Sequence, residues 1–452
     1  MKTLFIRYMP PFVALFVARV RVSPLGYRLA SGTFWSLVGT LSARGLSLLA
    51  AILLARRLGK EGFGEFGIIQ GTVVSLSAII AYGLGLTATK HIAENREKDS
   101  ERAGRIMALS GIVSFASSML LAVCLAIFAP WVASQTLAAP HLSSLLRISA
   151  LYFFLISLNG AQTGSLAGFH AFRTIAWVNL QSGIATFIFM VCGVLLGGLY
   201  GAVWSLVASG AFGWLVTHLA VRREAAKAGV PFSFTGVWRE LAVLKSFSLP
   251  AVLASTLFGP VGWVCSAILV NKPGGYAQMG IFNATNQWFG LVMFLPGLLG
   301  QVVLPMLAES VGAGDNARSR RILKITVLAN AFVVVPLVLV ISIASPWLLS
   351  LYGAGFAPAW PVLVISIVTA GLVAIVSPVS QSLNAEGRLW IAFFLNLCWA
   401  LLFIIMTELL IDRGAAGLVA ARLIAYLFQS ALVLFLVYRS QLNRKKVVEI
   451  TA

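Results

Sequence analysis

Twelve apolar runs of roughly 20 residues follow one another along this chain, each long enough to cross a hydrocarbon core of about 30 Å. They begin near Phe34, Gly64, Ile106, Leu146, Thr174 and Gly201, and again near Phe247, Gly280, Ile322, Trp360, Trp390 and Ala415. With 59% hydrophobic and only 10% charged residues, 452 residues cannot coat two or three water-soluble domains. The expected fold class is therefore an all-α polytopic membrane protein with about 12 transmembrane helices.

The basic residues set an orientation. Of the 33 lysines and arginines, 25 fall in alternate gaps between the runs and at the two ends, while six occupy the opposite gaps (Arg56, Arg57, Lys60, Arg147, Lys272 and Arg413). Arg44 and Arg422 lie inside runs. Under the positive-inside rule both termini are cytoplasmic. The net charge of +19 is then loop charge facing anionic lipid, and nucleic acid is not an expected partner. Cys124, Cys192, Cys265 and Cys398 each fall within a run, far apart, and read as small buried hydrophobes. Met9 to Ala18 is an apolar stretch too short to span. Arg19 and Arg21 stand where a signal peptide would need small residues, so residues 1–30 are expected to lie on the cytoplasmic membrane surface.

The hydrophilic stretch 222–246 divides the chain into two similar halves, 31–221 and 247–439, with a cytoplasmic tail at 440–452. Gly62-Phe63-Gly64-Glu65-Phe66-Gly67-Ile68 aligns with Gly275-Tyr276-Ala277-Gln278-Met279-Gly280-Ile281 at an offset of 213, and Ser165-Leu166 with Ser382-Leu383 at an offset of 217. Six runs per half make these parallel repeats. Transporters built in this way hold substrate between halves that rock against each other.

Enzyme chemistry finds no support. The largest non-cytoplasmic connection, Pro130 to Leu145, contains one histidine and no acid, and no HExxH, GxSxG or phosphate-binding glycine loop occurs. His91, His141, His170 and His218 are scattered, so neither a metal site nor a cofactor is expected. A polymerase or ligase of lipid-linked sugars would need a large catalytic outer loop, which this chain lacks.

Charge inside a bilayer costs about 2.5–3.5 kcal/mol on insertion scales and needs a reason. Ser36, Thr40, Arg44 and Ser47 recur at spacings of 4, 4 and 3, forming one polar stripe. Arg44 reads either as a cation on a wetted cavity face, suited to a phosphate, or as an arginine bonded to carbonyls of a neighbouring helix. Arg422 either contributes to the same site, snorkels, or pairs with Glu408 or Asp412. Lys90 is a cavity-mouth cation or a loop anchor. Arg57, with Arg56, stands against the charge rule on the outer side, where it could meet a departing phosphate. Asn283, Asn286 and Gln287 follow an i, i+3, i+4 pattern beside Trp288, a face suited either to sugar hydroxyls or to interhelical hydrogen bonds. Intramembrane acids are nearly absent, Glu408 being the main exception. That scarcity argues against a cation-drug antiporter.

The segment Arg57-Leu58-Gly59-Lys60-Glu61-Gly62-Phe63-Gly64 resembles the R-x-L-G-x-x-x-[FY]-G signature of the polysaccharide-transport branch of the multidrug/oligosaccharidyl-lipid/polysaccharide flippase superfamily. Thr89-Lys90-His91-Ile92-Ala93-Glu94, Gly280-Ile281-Phe282-Asn283-Ala284, Leu304-Pro305-Met306-Leu307 and Asn384-Ala385-Glu386-Gly387-Arg388 resemble later segments of the same family, from about Ser31 to Arg439. The resemblance implies two six-helix lobes of the MATE-like fold in a bacterial inner membrane. It implies a flippase that turns undecaprenyl-diphosphate-linked oligosaccharides outward for O-antigen or exopolysaccharide, next to membrane lipid and the polymerase and chain-length machinery. It assigns Arg44, Arg57 and Lys90 to the diphosphate, with a lysine at 90 where the family commonly has arginine. A multidrug antiporter of the same fold and a non-transporting scaffold are the alternatives.

Overall fold

The computed structural model describes residues 24–241, 257–313 and 315–451. The expected surface segment Met9 to Ala18 and the start of the run at Phe247 lie outside them. The described chain is helical throughout, as a bilayer requires, because only a helix satisfies its own backbone polar groups there. The helices are α1 (Pro24–Asn95), α2 (Ser100–Trp131), α3 (Ser143–Gly168), α4 (Phe172–Lys227), α5 (Phe258–Val270), α6 (Gly275–Gly312), α7 (Asn316–Ser350), α8 (Trp360–Ala385), α9 (Leu389–Leu410) and α10 (Ala415–Thr451). Among the described residues seven helices are long and apolar enough to cross a membrane.

Two of the ten helices each carry two of the apolar runs. α1 is interrupted at Gly59 (φ 71°, ψ −173°) and α4 at Gly197-Gly198, where Gly198 has φ 55° and ψ −131°. These backbone angles are open to glycine and strained for other residues. A helix twice too long for one crossing thus becomes two antiparallel arms. Each of these two helices thus covers two of the expected apolar runs.

α1 to α4 pack on one another, as do α6 to α10, and the two sets meet mainly through α1, α5 and α6. Solvation is inverted relative to a soluble protein. Leu196, Phe332 and Ile343 are 89%, 82% and 81% exposed on the outside, while Ser114, Ser157, Thr285, Asn330 and Thr407 are buried. One end of the bundle carries most of the basic residues and holds the connections 96–99, 169–171, 228–241 and 386–388. This is called the basic end here, and the other the far end. The stretch after α4 folds back onto the first half. Val237 is buried, and buried Glu240 meets Arg102 (3.2 Å) and Arg105 (3.5 Å) at the start of α2.

The sets are sealed to each other at the far end. There the two repeat segments found in the sequence cross face to face. A Cβ on Gly64 would overlap the Tyr276 carbonyl, and one on Gly280 would overlap the Lys60 carbonyl, so the two backbones touch. Tyr276 Oη donates to the Leu137 carbonyl at 2.7 Å and Asn271 Nδ2 to the Thr136 carbonyl at 2.7 Å. Phe63 from one set packs edge-on against Phe356 of the other.

Candidate functional site

Below that seal the helices enclose a cavity of about 490 Å³, within the range of small-ligand sites. Its wall is polar but uncharged. Five primary amides line it: Gln70 from α1, Asn159 from α3, and Asn283, Asn286 and Gln287 from α6. Hydroxyls come from Ser47 on α1 and from Ser182, Thr186 and Ser209 on α4, with Phe63, Phe66 and Tyr152 as aromatic surface. Amides and hydroxyls both donate and accept, so the wall can match a hydroxyl-rich ligand, and it offers no carboxylate to a cationic one.

The amide triplet of α6 is held at both edges. Asn283 Nδ2 donates to the Phe63 carbonyl at 3.3 Å, across the seal. Asn286 Oδ1 accepts from Arg422 Nη1 at 3.0 Å. A guanidinium cannot accept a hydrogen bond, so the amide oxygen faces Arg422 and the amide N–H groups remain for the cavity side.

Arg422, on α10, neither snorkels nor pairs with Glu408 or Asp412 as the sequence suggested. It is 7% exposed and donates to Ser366 Oγ at 2.6 Å as well as to Asn286, lying over the rings of Phe289 (4.2 Å) and Phe282 (5.4 Å). Asp412 instead takes Lys272 at 3.0 Å. Arg422 has no carboxylate within ion-pairing reach among the described residues, and its Nε is buried without a hydrogen-bond partner. The physical reason is depth. Arg422 lies within two turns of the far end in sequence, but α8 and α6 pack over it and supply neutral acceptors.

Arg44 stands at the edge of the cavity rather than on its wall. Its Nη1 donates to the Gly290 carbonyl on α6 at 3.1 Å, and its guanidinium lies 4.8 Å from the Phe294 ring. Ser47, one turn along α1, and Gln287, one turn before Gly290, both line the cavity. The carbonyl contact expected from one reading is present, across the junction of the two sets, and Arg44 lies beside the cavity without lining it. Ser36 of the stripe lies outside the described side chains, and Ser47 donates to the Ala43 carbonyl.

The other expected residues lie elsewhere. Arg57 is exposed beside the Gly59 break, where its neighbour Arg56 donates through Nε to the Leu351 carbonyl at 2.5 Å. Lys90 is exposed toward the basic end, and neither Arg57 nor Lys90 lines the cavity. Trp288 packs in the core, 8% exposed, and does not line the cavity either. Sequence reasoning missed Gln70, Asn159, Ser182, Thr186 and Ser209. Their signal was an amide or hydroxyl inside an apolar run, repeated on four arms.

A model of the family described as "Polysaccharide biosynthesis protein" matches residues 29–311. The chain belongs to this family. A relative from Ralstonia nicotianae, the EPS I polysaccharide export inner membrane protein EpsE, is 24% identical over 396 residues, covering 85% of this chain and 87% of that protein. Among solved structures, the inward-facing conformation of a multidrug resistance MATE family transporter of the MOP superfamily superposes with a TM-score of 0.76 at 14% identity, covering 89% and 95%. The lipid II flippase MurJ in its inward closed conformation gives 0.69 at 16% identity, covering 89% and 87%. At these identities the two structures show that this family member shares their fold.

Proposed function

We propose that the protein is a flippase that moves undecaprenyl-diphosphate-linked oligosaccharide repeat units across a bacterial inner membrane by alternating access of two lobes, for assembly of surface polysaccharide. The observation that carries this reading is the uncharged amide and hydroxyl cavity with a guanidinium, Arg44, at its edge. Hydroxyls of the glycan match the wall, and the diphosphate matches the cation. The relatives' link to polysaccharide export supports the cargo class.

The basic end is assigned to the cytoplasm by the positive-inside rule. The hydrogen bonds that join the two sets run from the far end to mid-helix, among them Ser75 with Gly259 and Arg44 with Gly290. This arrangement is the loading state, open to the leaflet in which the cargo is built. A diphosphate is a better acceptor for Arg44 than the Gly290 carbonyl, because both partners are then charged. Its arrival draws Arg44 off α6 and loosens the junction it spans, which couples loading to the rocking of the lobes. Arg57 and Lys90, placed away from the cavity, act at the exit and at the entry mouth respectively.

The test is reconstitution in liposomes carrying fluorescent undecaprenyl-diphosphate oligosaccharide, with outer-leaflet exposure read by a membrane-impermeant quencher. Protein-dependent exposure is expected. Its absence with several glycans under both proton and sodium gradients, together with efflux of cationic dyes, would replace this reading by a multidrug antiporter.

A further inference from the structure

A second cavity, of about 240 Å³, lies wholly within the second half, among α5, α8, α9 and α10. It sits toward the basic end, in the last turns of α8 and two turns into α9. Its polar lining is again uncharged: Ser377, Ser380 and Gln381 from α8, Asn396 from α9, and Gln429 and Ser430 from α10. Phe258, Tyr426 and three valines supply the rest of the wall.

Three features separate it from a packing defect. Gln429 Nε2 donates to Asn396 Oδ1 at 2.9 Å, which leaves the Asn396 amide donors and the Gln429 carbonyl to seek other partners. Gln381 Oε1 is buried with no hydrogen-bond partner, an acceptor that lacks a donor. Behind the wall, Trp399 is 2% exposed and packs, tilted, between the rings of Phe258 (4.8 Å) and Tyr426 (5.1 Å), making that side aromatic. An apolar ring face opposite a rim of amides and hydroxyls matches a sugar, whose ring has apolar C–H faces and a hydroxyl edge. The volume lies below the roughly 300–1,000 Å³ of drug-sized sites, room for one ring rather than a chain. The absence of charge in the lining excludes a diphosphate as its ligand.

We infer that this cavity is a subsite for one uncharged, hydroxyl-bearing sugar ring of the cargo glycan. The inference rests on the flippase reading and adds a second point of glycan recognition, in the half opposite the one that forms most of the main cavity. Tyr426 borders it one turn from Arg422, and Arg422 holds Asn286 of the main cavity, so one guanidinium lies between the two pockets.

Two filling substitutions on separate helices, Ser380→Leu and Ser430→Leu, occupy the space. The full-length protein in detergent is titrated with the repeating oligosaccharide released by mild acid from the producing cell's own surface polymer, and separately with glucose, galactose and N-acetylglucosamine. Inorganic pyrophosphate is the control ligand. Tryptophan fluorescence is read against a Trp399→Phe background. A saccharide-dependent change that Trp399→Phe abolishes is expected, weakened at least tenfold by each filled variant, with the pyrophosphate response and the thermal midpoint unchanged. Unchanged saccharide affinity in both filled variants overturns the subsite and leaves it a hydration pocket. The liposome assay separates the two readings. Wild-type flipping that both filled variants match sinks the subsite and leaves the flippase reading standing. Saccharide binding at Trp399 without flipping of any glycan lipid sinks the flippase reading and leaves the subsite.

Discussion

Arg44 on α1 donates to the carbonyl of Gly290 on α6 at 3.1 Å, so a cation from one half of the molecule is anchored on the backbone of the other. The contact is intermediate in strength. A guanidinium on a neutral carbonyl gains more than a neutral pair and less than a guanidinium on a phosphate. In the proposed flippase cycle, this bond holds the junction in the absence of cargo and yields when an anion arrives.

Replacing Asn286 by leucine leaves Arg422 with Ser366 as its only hydrogen-bonded partner among the described residues and removes an amide from the cavity. Transport of the glycan lipid is expected to fall at least tenfold. Losing a hydrogen bond to a charged group costs about 1.5–3 kcal/mol, so the thermal midpoint falls as well. Leucine at Gln287, which likewise lines the cavity, is expected to reduce transport with a smaller change in midpoint. Paired liposome and melting measurements separate the two.

Arg422→Met keeps the volume of the side chain and removes a buried charge that has no carboxylate partner. The change relieves an unpaired buried charge but leaves Asn286 Oδ1 and Ser366 Oγ without their donor, so the two effects on stability oppose each other. The variant is expected to accumulate in the membrane at wild-type level, yet to export little polymer, because nothing then orients Asn286. Arg422→Lys, with a compact head in place of the fork, is expected to rescue only in part. Full export by Arg422→Met would show that orientation of Asn286 is unimportant.

The far-end seal depends on glycine. Gly64→Val or Gly280→Val places side-chain atoms where a backbone carbonyl of the other half now sits. These variants are expected to fold and to favour the state open at the far end. A cysteine introduced at Phe63, buried in the seal, should then react with a membrane-impermeant maleimide added from outside at least tenfold faster than in the parent. Equal reactivity would mean that the contact does not govern opening.

Glu240 ties the segment after α4 to α2 through Arg102 and Arg105. Glu240→Gln weakens both contacts while keeping the shape. It is expected to lower the thermal midpoint by an amount equivalent to about 1.5–3 kcal/mol, the range for a hydrogen bond to a charged group such as that from Arg102. Transport is expected to persist, since the pair lies away from the cavity.

How much of this was legible in the sequence follows from what determines each feature. Apolar runs near Thr174 and Gly201 are set by the bilayer and could be counted directly, whereas the break between them rests on Gly197-Gly198, two residues with little pattern of their own. The triplet Asn283, Asn286 and Gln287 was readable because it repeats at helical spacing on one face. Gln70, Asn159 and Ser182 were not, because they come from three different helices and only tertiary packing brings them to one wall. Arg422 misled because sequence gives distance from the end of a run but not what packs over it. Lys90 and Arg57 were nominated by charge and by resemblance, and neither reports which side of a helix faces the cavity.

The central claim is that Arg44 serves the diphosphate of a lipid-linked glycan. It is tested most directly by the liposome exposure assay on wild-type protein and Arg44→Ala at equal reconstituted amounts, with undecaprenyl-diphosphate oligosaccharide as the carried lipid. A loss of at least tenfold in the initial rate is expected for Arg44→Ala, with partial recovery in Arg44→Lys. Equal rates for wild type and Arg44→Ala would contradict the account.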